Sequence, residues 1–195
     1  MTIKPVECLF SFEEYLIYND GTEKRYELEN GKLLEMPPAA DLHEAIITFL
    51  LIKFYLEIQR LGQNLQVRPS GTGVRTKTNK SRLPDLVVMT EEQRQSIQGK
   101  SAVLEVPPVL VVEVVSAESV TRDYETKLIE YADLGITEYW IVDPLENKVT
   151  ILLWDNGKFL ETVFTGEQKI ISRVFSELIL SAEQILKAGG NSISL

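Results

Sequence analysis

The sequence is poor in the residues that form disulfides and His/Cys metal sites. Its 195 residues include one cysteine, Cys8, and one histidine, His43. A single cysteine cannot form an internal disulfide, so we expect a cytoplasmic protein. The same scarcity argues against a zinc site of His and Cys ligands and against a Cys/His nucleophile pair. Any metal ion would therefore have to be held by carboxylates.

Long apolar runs are also missing. The first ten residues lack the apolar segment of a signal peptide, and the most apolar later stretch, residues 106–115, is short and contains a glutamate. We therefore expect neither a secretory signal nor a membrane span. The formal net charge of −9 argues against a protein that coats nucleic acid or an anionic membrane with its whole surface. A local basic groove remains compatible with this charge.

One segment has no acidic residue at all. Residues 58–84 contain no Asp or Glu but six basic residues, namely Arg60, Arg68, Arg75, Lys77, Lys80 and Arg82. Cations spaced along short strands and loops can follow a phosphate backbone. The last five of these residues are therefore candidates for nucleic-acid binding. The alternative is a solvated loop whose charges happen to share one sign.

Hydrophobic periodicity and turn signals divide the chain into helices and strands. Two capping boxes, Ser11 with Glu14 and Asp41 with Glu44, predict a short helix to about residue 19 and a long amphipathic helix to residue 61. A third helix is predicted over residues 121–134 and a short fourth one after Ser181. Asn-Gly dipeptides at residues 30–31 and 156–157 predict one hairpin near each end of the chain.

The strands predicted between these elements are NLQVRP, GVRT, LPDLVVM, PVLVVEVV and TEYWIVDP. Their order with the helices predicts an α/β fold, or α+β by stricter classification, in which a mixed sheet is flanked by helices. We expect a single domain over residues 1–188 and a flexible tail over residues 189–195.

Two carboxylates lie in unusually apolar surroundings. Glu113 is flanked by Val111, Val112 and two further valines, and Asp85 precedes the apolar run Leu86–Met89. Removing an unpaired carboxylate from water costs several kcal/mol, so a buried Glu113 must be protonated, paired or bound to a cation. If the two strands are neighbours, the carboxylates can meet near the end of the sheet, where a divalent cation would relieve their repulsion. The alternative is that each forms a structural salt bridge or caps a turn.

Lys127 lies on the side of its predicted helix that faces the sheet. Tyr124, Leu128 and Tyr131 share this side. Asp123 precedes Lys127 by four residues, so the simpler interpretation is an ordinary surface ion pair.

The motifs in RYELENGKLLEM, DLHEAI, RLPDLVVM, PVLVVEVVSAES and ITEYWIVDP, together with the spaced Asp123 and Lys127, resemble the Uma family of endonucleases. This family belongs to the PD-(D/E)xK superfamily of restriction-endonuclease-like proteins. The resemblance extends from about residue 11 to residue 144. It implies a core of αβββαβ order and Mg²⁺-dependent hydrolysis of phosphodiester bonds, in which Mn²⁺ could substitute.

The resemblance also implies roles for individual residues. Asp85, Glu113 and the backbone carbonyl of Val114 would bind the metal, and Glu27 would assist metal or water. The lysine expected two residues after the glutamate is replaced by Val115. The resemblance implies that Lys127 supplies the cation instead.

His43, near the start of the long helix, could contact a phosphate or the site, and a packing role is the alternative. The implied substrate is DNA, with RNA not excluded, and a homodimer is expected because a double-strand cut calls for two sites. A protein that kept the fold and binds nucleic acid without turnover is the competing hypothesis. A purely structural protein–protein module is a third possibility.

Overall fold

The computed structural model describes residues 9–188. Cys8 and the predicted tail at residues 189–195 lie outside them. The helices are α1 (Phe12–Leu16), α2 (Asp41–Leu61), α3 (Glu91–Ser96), α4 (Lys127–Leu134) and α5 (Ala182–Leu186). The strands are β1 (Tyr26–Glu29), β2 (Lys32–Glu35), β3 (Leu65–Pro69), β4 (Gly73–Lys77), β5 (Lys80–Arg82), β6 (Leu86–Thr90), β7 (Val103–Leu104), β8 (Leu110–Val114), β9 (Glu138–Asp143), β10 (Lys148–Asp155) and β11 (Lys158–Thr165). Among the helices of this described part, none has the length and apolar character needed to cross a membrane.

The strands form two mixed sheets. The larger sheet has the order β11-β10-β9-β8-β6-β3, and the smaller one has the order β2-β1-β5-β4-β7. Each contains one parallel pair, β8 with β9 and β4 with β7, and is otherwise antiparallel. The predicted α/β class is confirmed, with the refinement that the strands divide between two sheets.

The larger sheet is buried on both faces. On one face, Leu110 and Val112 pack with residues of α2 and α5 in one apolar cluster. On the other face, Val111 of β8 packs with Tyr131 of α4 and with Val74 of the smaller sheet. This double burial explains why β8 is apolar at every position except Glu113. The odd-numbered residues of β8 therefore face α4 and the smaller sheet.

The long helix α2 ends as predicted but begins differently. At its C-terminus, Gly62 has the left-handed conformation (φ 60°) that commonly ends a helix. At its N-terminus the cap is Ala40, whose side chain makes no hydrogen bond. The predicted Asp41–Glu44 capping box is therefore wrong, because Asp41 already lies in the first turn. Both acids still carry the charge that the N-terminal end of a helix dipole favours.

The other local signals largely hold. The capping boxes at Ser11 and Ser181 are present, although α1 ends at Leu16 rather than near residue 19. Both predicted hairpins form, with Asn30 and Asn156 in the left-handed region followed by glycines. The predicted helix at residues 121–134 forms in two parts, a π-helical segment, Arg122–Thr126, followed by α4.

Candidate active site

Asp85 and Glu113 are brought together by the pairing of β6 with β8. The two strands are antiparallel, with Leu86 opposite Val112 and Val87 opposite Val111. Continuing this register by one residue places Asp85 opposite Glu113, and directly opposed residues have Cβ atoms about 5 Å apart. Asp85 is also fixed to β8, because its Oδ2 accepts a hydrogen bond of 2.7 Å from the backbone N–H of Val114. The predicted adjacency of these strands is confirmed.

Glu113 is almost completely buried, with an exposed fraction of 3%. Its Oε2 lies 2.7 Å from the Nζ atom of Lys127, and its Oε1 accepts a hydrogen bond of 2.7 Å from the hydroxyl of Tyr131. Burial raises the pKa of the Glu113 carboxyl, and the ammonium of Lys127 opposes this rise. The charges of Asp123 and Asp85 raise it further. An additional cation at this position would stabilise the carboxylate form.

Lys127 is buried among three carboxylates. Its Nζ lies 2.7 Å from Glu113 Oε2, 3.1 Å from Asp123 Oδ1 and 3.9 Å from Glu27 Oε1. We call these four residues the Lys127 cluster. Burial alone would lower the pKa of Lys127, but the three carboxylates outweigh it and raise the pKa, so the side chain is a cation. The Asp123–Lys127 pair exists, but the interpretation of it as a surface pair is wrong because Lys127 is only 2% exposed.

Glu27 reaches the Lys127 cluster from the smaller sheet. It is fully buried on β1. Its Oε1 accepts a hydrogen bond of 3.0 Å from the backbone N–H of Leu83, and its Oε2 accepts one of 3.2 Å from Arg82 Nη1. Burial opposes ionisation, but the charges of Lys127 and Arg82, with the Leu83 hydrogen bond, lower the pKa of Glu27. Glu27 is therefore held as a carboxylate.

His43 lies in the first turn of α2 and contacts Asp85. Its Nε2 is 3.2 Å from Asp85 Oδ2. Burial would lower the pKa of the imidazole, but the hydrogen bond to Asp85 and the charge of Asp85 raise it. The other ring nitrogen, Nδ1, is buried and has no hydrogen-bond partner within residues 9–188. The predicted proximity of His43 to the site is thus present in the structure.

The roles of two residues at this site were not predicted from the sequence. Asp123 was predicted only as a surface partner of Lys127, whereas it is buried beside Lys127 on the π-helical turn that precedes it. Turns of this kind often occur at functional sites. Tyr131 was placed on the inward side of its helix, but nothing in the pattern indicated that its hydroxyl would bind Glu113. Spacing predicts which face a side chain takes, whereas the partner comes from another element.

The basic segment is largely neutralised by acids from elsewhere in the chain. Arg75 pairs with Glu105 at 2.6 Å, and Lys77 pairs with Asp133 at 3.0 Å. Arg68 lies half-buried on the edge strand β3. None of these three side chains belongs to the Lys127 cluster, and Lys77, which is about half exposed, is open to solvent.

Lys80 and Arg82 occupy a buried ion network instead of an open groove. Lys80 pairs with Glu29 at 2.7 Å and with Glu130 at 3.0 Å. Arg82 is completely buried and pairs with Glu27, Glu29 and Glu130. The interpretation of Arg82 as a phosphate contact is therefore wrong, because a guanidinium that is out of solvent and paired with carboxylates cannot reach a duplex.

The oxygen donors of the site suit a hard divalent cation. Asp85, Glu113 and the backbone carbonyl of Val114 lie on adjoining strands, and Mg²⁺ usually takes one or two carboxylates together with waters and substrate oxygens. Within residues 9–188, no group of three or more His, Cys, Asp or Glu side chains is arranged to hold an ion. Two carboxylates and a carbonyl are nevertheless the types of ligand that a cation keeping most of its water takes.

Comparisons with known proteins concern the family and the fold of this chain. The family model described as "Uma2: Putative restriction endonuclease" matches residues 12–183. No relative among the curated proteins matches the chain. A solved structure of similar fold is that of a protein titled a putative nuclease belonging to DUF820, from Anabaena variabilis ATCC 29413. It is 17% identical, with a TM-score of 0.76, over 92% of this chain and 99% of that chain.

The family match spans most of the chain, and it includes the segments that carry Glu27, Asp85, Glu113 and Lys127. The structural match shows the same architecture despite low sequence identity. This chain therefore belongs to the Uma2 family, described as putative restriction endonucleases, and has the restriction-endonuclease-like fold.

Proposed function

We propose that this protein is a metal-dependent endonuclease that hydrolyses phosphodiester bonds in DNA, with RNA as a further substrate to be tested. The observation that carries the proposal is the convergence of Asp85 and Glu113 with a buried lysine and a third acid, Glu27. Family membership supports a nuclease. The metal, the substrate and the roles of the residues are our proposal.

In this proposal, Asp85, Glu113 and the carbonyl of Val114 would hold Mg²⁺, and Mn²⁺ could replace it. When bound, such an ion lowers the pKa of a coordinated water and neutralises charge on the phosphate. Glu27 is also paired with Arg82, but Glu113 and Asp123 share Lys127, and this supports a demand for additional positive charge beside Glu113.

Lys127 would act through its ammonium group. Because three carboxylates keep it protonated, it can donate hydrogen bonds to the attacking water or to a phosphate oxygen, but it cannot serve as the base. Glu27 is held as a carboxylate at 3.9 Å from Lys127 and could accept a hydrogen bond from that water. His43 would face the phosphate from the start of α2, where its hydrogen bond to Asp85 raises the pKa of the imidazole against the cost of burial.

The nucleic acid would contact the basic segment through its accessible cations. Arg68, Arg75 and Lys77 are the candidates, and Lys80 is partly accessible. Their present acidic partners Glu105 and Asp133 are more than half exposed, so exchanging them for phosphates leaves no buried charge unpaired.

Nicking of supercoiled plasmid, measured with and without Mg²⁺, tests the catalytic proposal. We expect Asp85→Asn and Glu113→Gln each to lower the nicking rate by at least about 100-fold. Glu161→Gln, the same change at an exposed position of β11, serves as the matched control and should retain activity. Normal rates in both site variants would refute the assignment of these carboxylates.

A second candidate function is nucleic-acid binding without turnover. One observation favours it, since both oxygens of Glu113 are engaged by protein donors, Tyr131 and Lys127. A metal would have to enter beside these contacts. Salt-dependent DNA retention by a wild-type protein that shows no cleavage with Mg²⁺ or Mn²⁺ would support this candidate over the enzyme.

We also propose that the protein is cytoplasmic and works as a homodimer. The dimer is proposed because cutting both strands of a duplex calls for two sites. Light scattering on the protein as it elutes from a size-exclusion column, with and without DNA, measures the number of subunits directly. A monomer under both conditions would contradict the dimer.

A further inference from the structure

Arg82 is a basic residue whose side chain has no exposed surface. Its Nε donates to Glu130 Oε2 at 2.8 Å and its Nη2 to Glu130 Oε1 at 2.7 Å, which is a two-point contact. Its Nη1 donates to Glu27 Oε2 at 3.2 Å, and its Nη2 also contacts Glu29. We call these four residues the Arg82 clamp.

The Arg82 clamp joins three elements that carry candidate catalytic groups or lead directly to one. Glu27 and Glu29 lie on β1. Glu130 lies on α4, three residues after Lys127, so the two side chains emerge from neighbouring turns of one helix. Arg82 itself ends β5, three residues before Asp85. One guanidinium therefore connects the strand of the third acid, the helix of the lysine and the segment that leads to the first metal-binding candidate.

The contacts of Arg82 fix the carboxylate of Glu27 on one side. Oε2 of Glu27 is held by Arg82, while Oε1 is held by the Leu83 N–H and lies 3.9 Å from Lys127 Nζ. Neither Glu27 nor Glu130 can shift without breaking a contact to Arg82. The position of Glu27 relative to Lys127 is thus constrained by contacts to a residue that is itself out of solvent.

We propose that Arg82 is a positioning residue that holds Glu27 and Lys127 in register by clamping β1 to α4. This inference rests on the proposed nuclease function and goes beyond it, because Arg82 acts on the reaction only through other residues. Lysine cannot replace it, because an ammonium is a single point charge and lacks the planar fork that spans two carboxylates.

The test compares Arg82→Lys with a matched control, Arg60→Lys. Arg60 also makes a two-point contact to one carboxylate, Glu57, and a further contact to Glu177, but it lies at the C-terminal end of α2. Both variants keep their charge. We expect Arg82→Lys to lower kcat by about 10- to 100-fold, since small misplacements of catalytic groups have effects of this size. KM for DNA should stay within about twofold, and Arg60→Lys should match the wild type in both constants.

A purely structural role of Arg82 is distinguished from a positioning role by measuring nicking rates per folded molecule. The folded fraction of each variant is determined by chemical denaturation, and the nicking assay is run where that fraction is near unity. A second variant, Glu130→Gln, removes the other end of the clamp. Its effect on kcat should overlap with that of Arg82→Lys, so the double variant should be less impaired than the product of the single losses. Unchanged kcat per folded Arg82→Lys molecule, or a loss confined to KM, overturns the proposal.

Failure of the proposed nuclease function gives a different result. In that case the wild type itself shows no cleavage, and the clamp is judged from a crystal structure of Arg82→Lys. The positioning role predicts that the separation of Lys127 Nζ and Glu27 Oε1 departs from its present 3.9 Å. Unmoved Glu27 and Lys127 side chains in that structure would refute it whatever the activity.

Discussion

Replacing Lys127 by methionine removes the only ammonium from the Lys127 cluster while keeping a side chain of similar length. The three carboxylates then face one another in a site where Lys127 is 2% exposed and Glu113 is 3% exposed. Removing one partner of a buried ion pair costs roughly 3–5 kcal/mol. Here the acids that lose their partner are Glu113 and Asp123, because Glu27 keeps its contact with Arg82. We expect a destabilisation of that size at neutral pH.

Replacing the acid Glu113 instead of the lysine should lower the free energy of unfolding by less. In Glu113→Gln, Lys127 keeps Asp123 at 3.1 Å and Glu27 at 3.9 Å, so its charge remains compensated. We expect a loss of about 1–3 kcal/mol, as for an altered hydrogen bond to a charged group. The double variant should be less destabilised than the sum of the two, because Glu113→Gln removes the carboxylate that lay closest to the deleted ammonium.

Guanidinium denaturation, followed by the fluorescence of Trp140 and Trp154 and by circular dichroism, measures these differences. Lys158→Met, at an exposed position of β11, is the control and should lie within about 0.5 kcal/mol of the wild type. A Lys127→Met variant within about 1 kcal/mol of the wild type, or a double variant whose loss is the simple sum, would refute the buried-cluster description.

Three further predictions concern acid stability, a helix terminus and DNA affinity. Against the cost of burial, hydrogen bonds from Arg82 lower the pKa of Glu130 to about 2. The resulting stability, roughly 3 kcal/mol at 1.36 kcal/mol per pKa unit, is present above pH 4.5 and is lost as the pH falls toward 2. In Glu130→Gln the acid limb of a stability–pH curve should therefore be shallower. Gly135 ends α4 at φ 72°, so Gly135→Ala should destabilise the fold by about 1 kcal/mol in thermal melts, and an unchanged melting temperature would contradict this. Lys77→Glu should weaken DNA binding and reduce the slope of log K against log salt by about 1, whereas an unchanged slope would exclude Lys77 as a phosphate contact.

Local patterns were sufficient to predict most elements of the fold. The continuous apolar run of β8 and the helical spacing of α2 depend only on how side chains repeat along a strand or a helix. The Asn-Gly turns and the Ser-initiated capping boxes are equally local. The one wrong capping box, at Asp41, shows the limit of such signals. The residue that the sequence marks as the cap can itself lie in the first turn, so that the helix begins one residue earlier than predicted.

The basic segment illustrates what local patterns could not predict. Its cations lie within one short stretch of the sequence, yet their partners Glu29, Glu105 and Glu130 come from separate elements. A run of one charge sign therefore looked like an open binding surface, while folding turned part of it into a buried network. Only the contacts between the smaller sheet and α4 could distinguish the two outcomes.

The sequence by itself determined that Glu113 had to be buried and compensated, because a carboxylate within a strand that is apolar on both faces has nowhere else to go. Helical spacing also placed Lys127 on the side of its helix that faces the sheet, but it could not exclude the surface pair with Asp123, and that simpler interpretation was wrong. Tertiary structure alone decided which acids surround this lysine and that Arg82 clamps them. Ion pairs form between groups that are close in space, and these groups become close only when two sheets and a helix pack together.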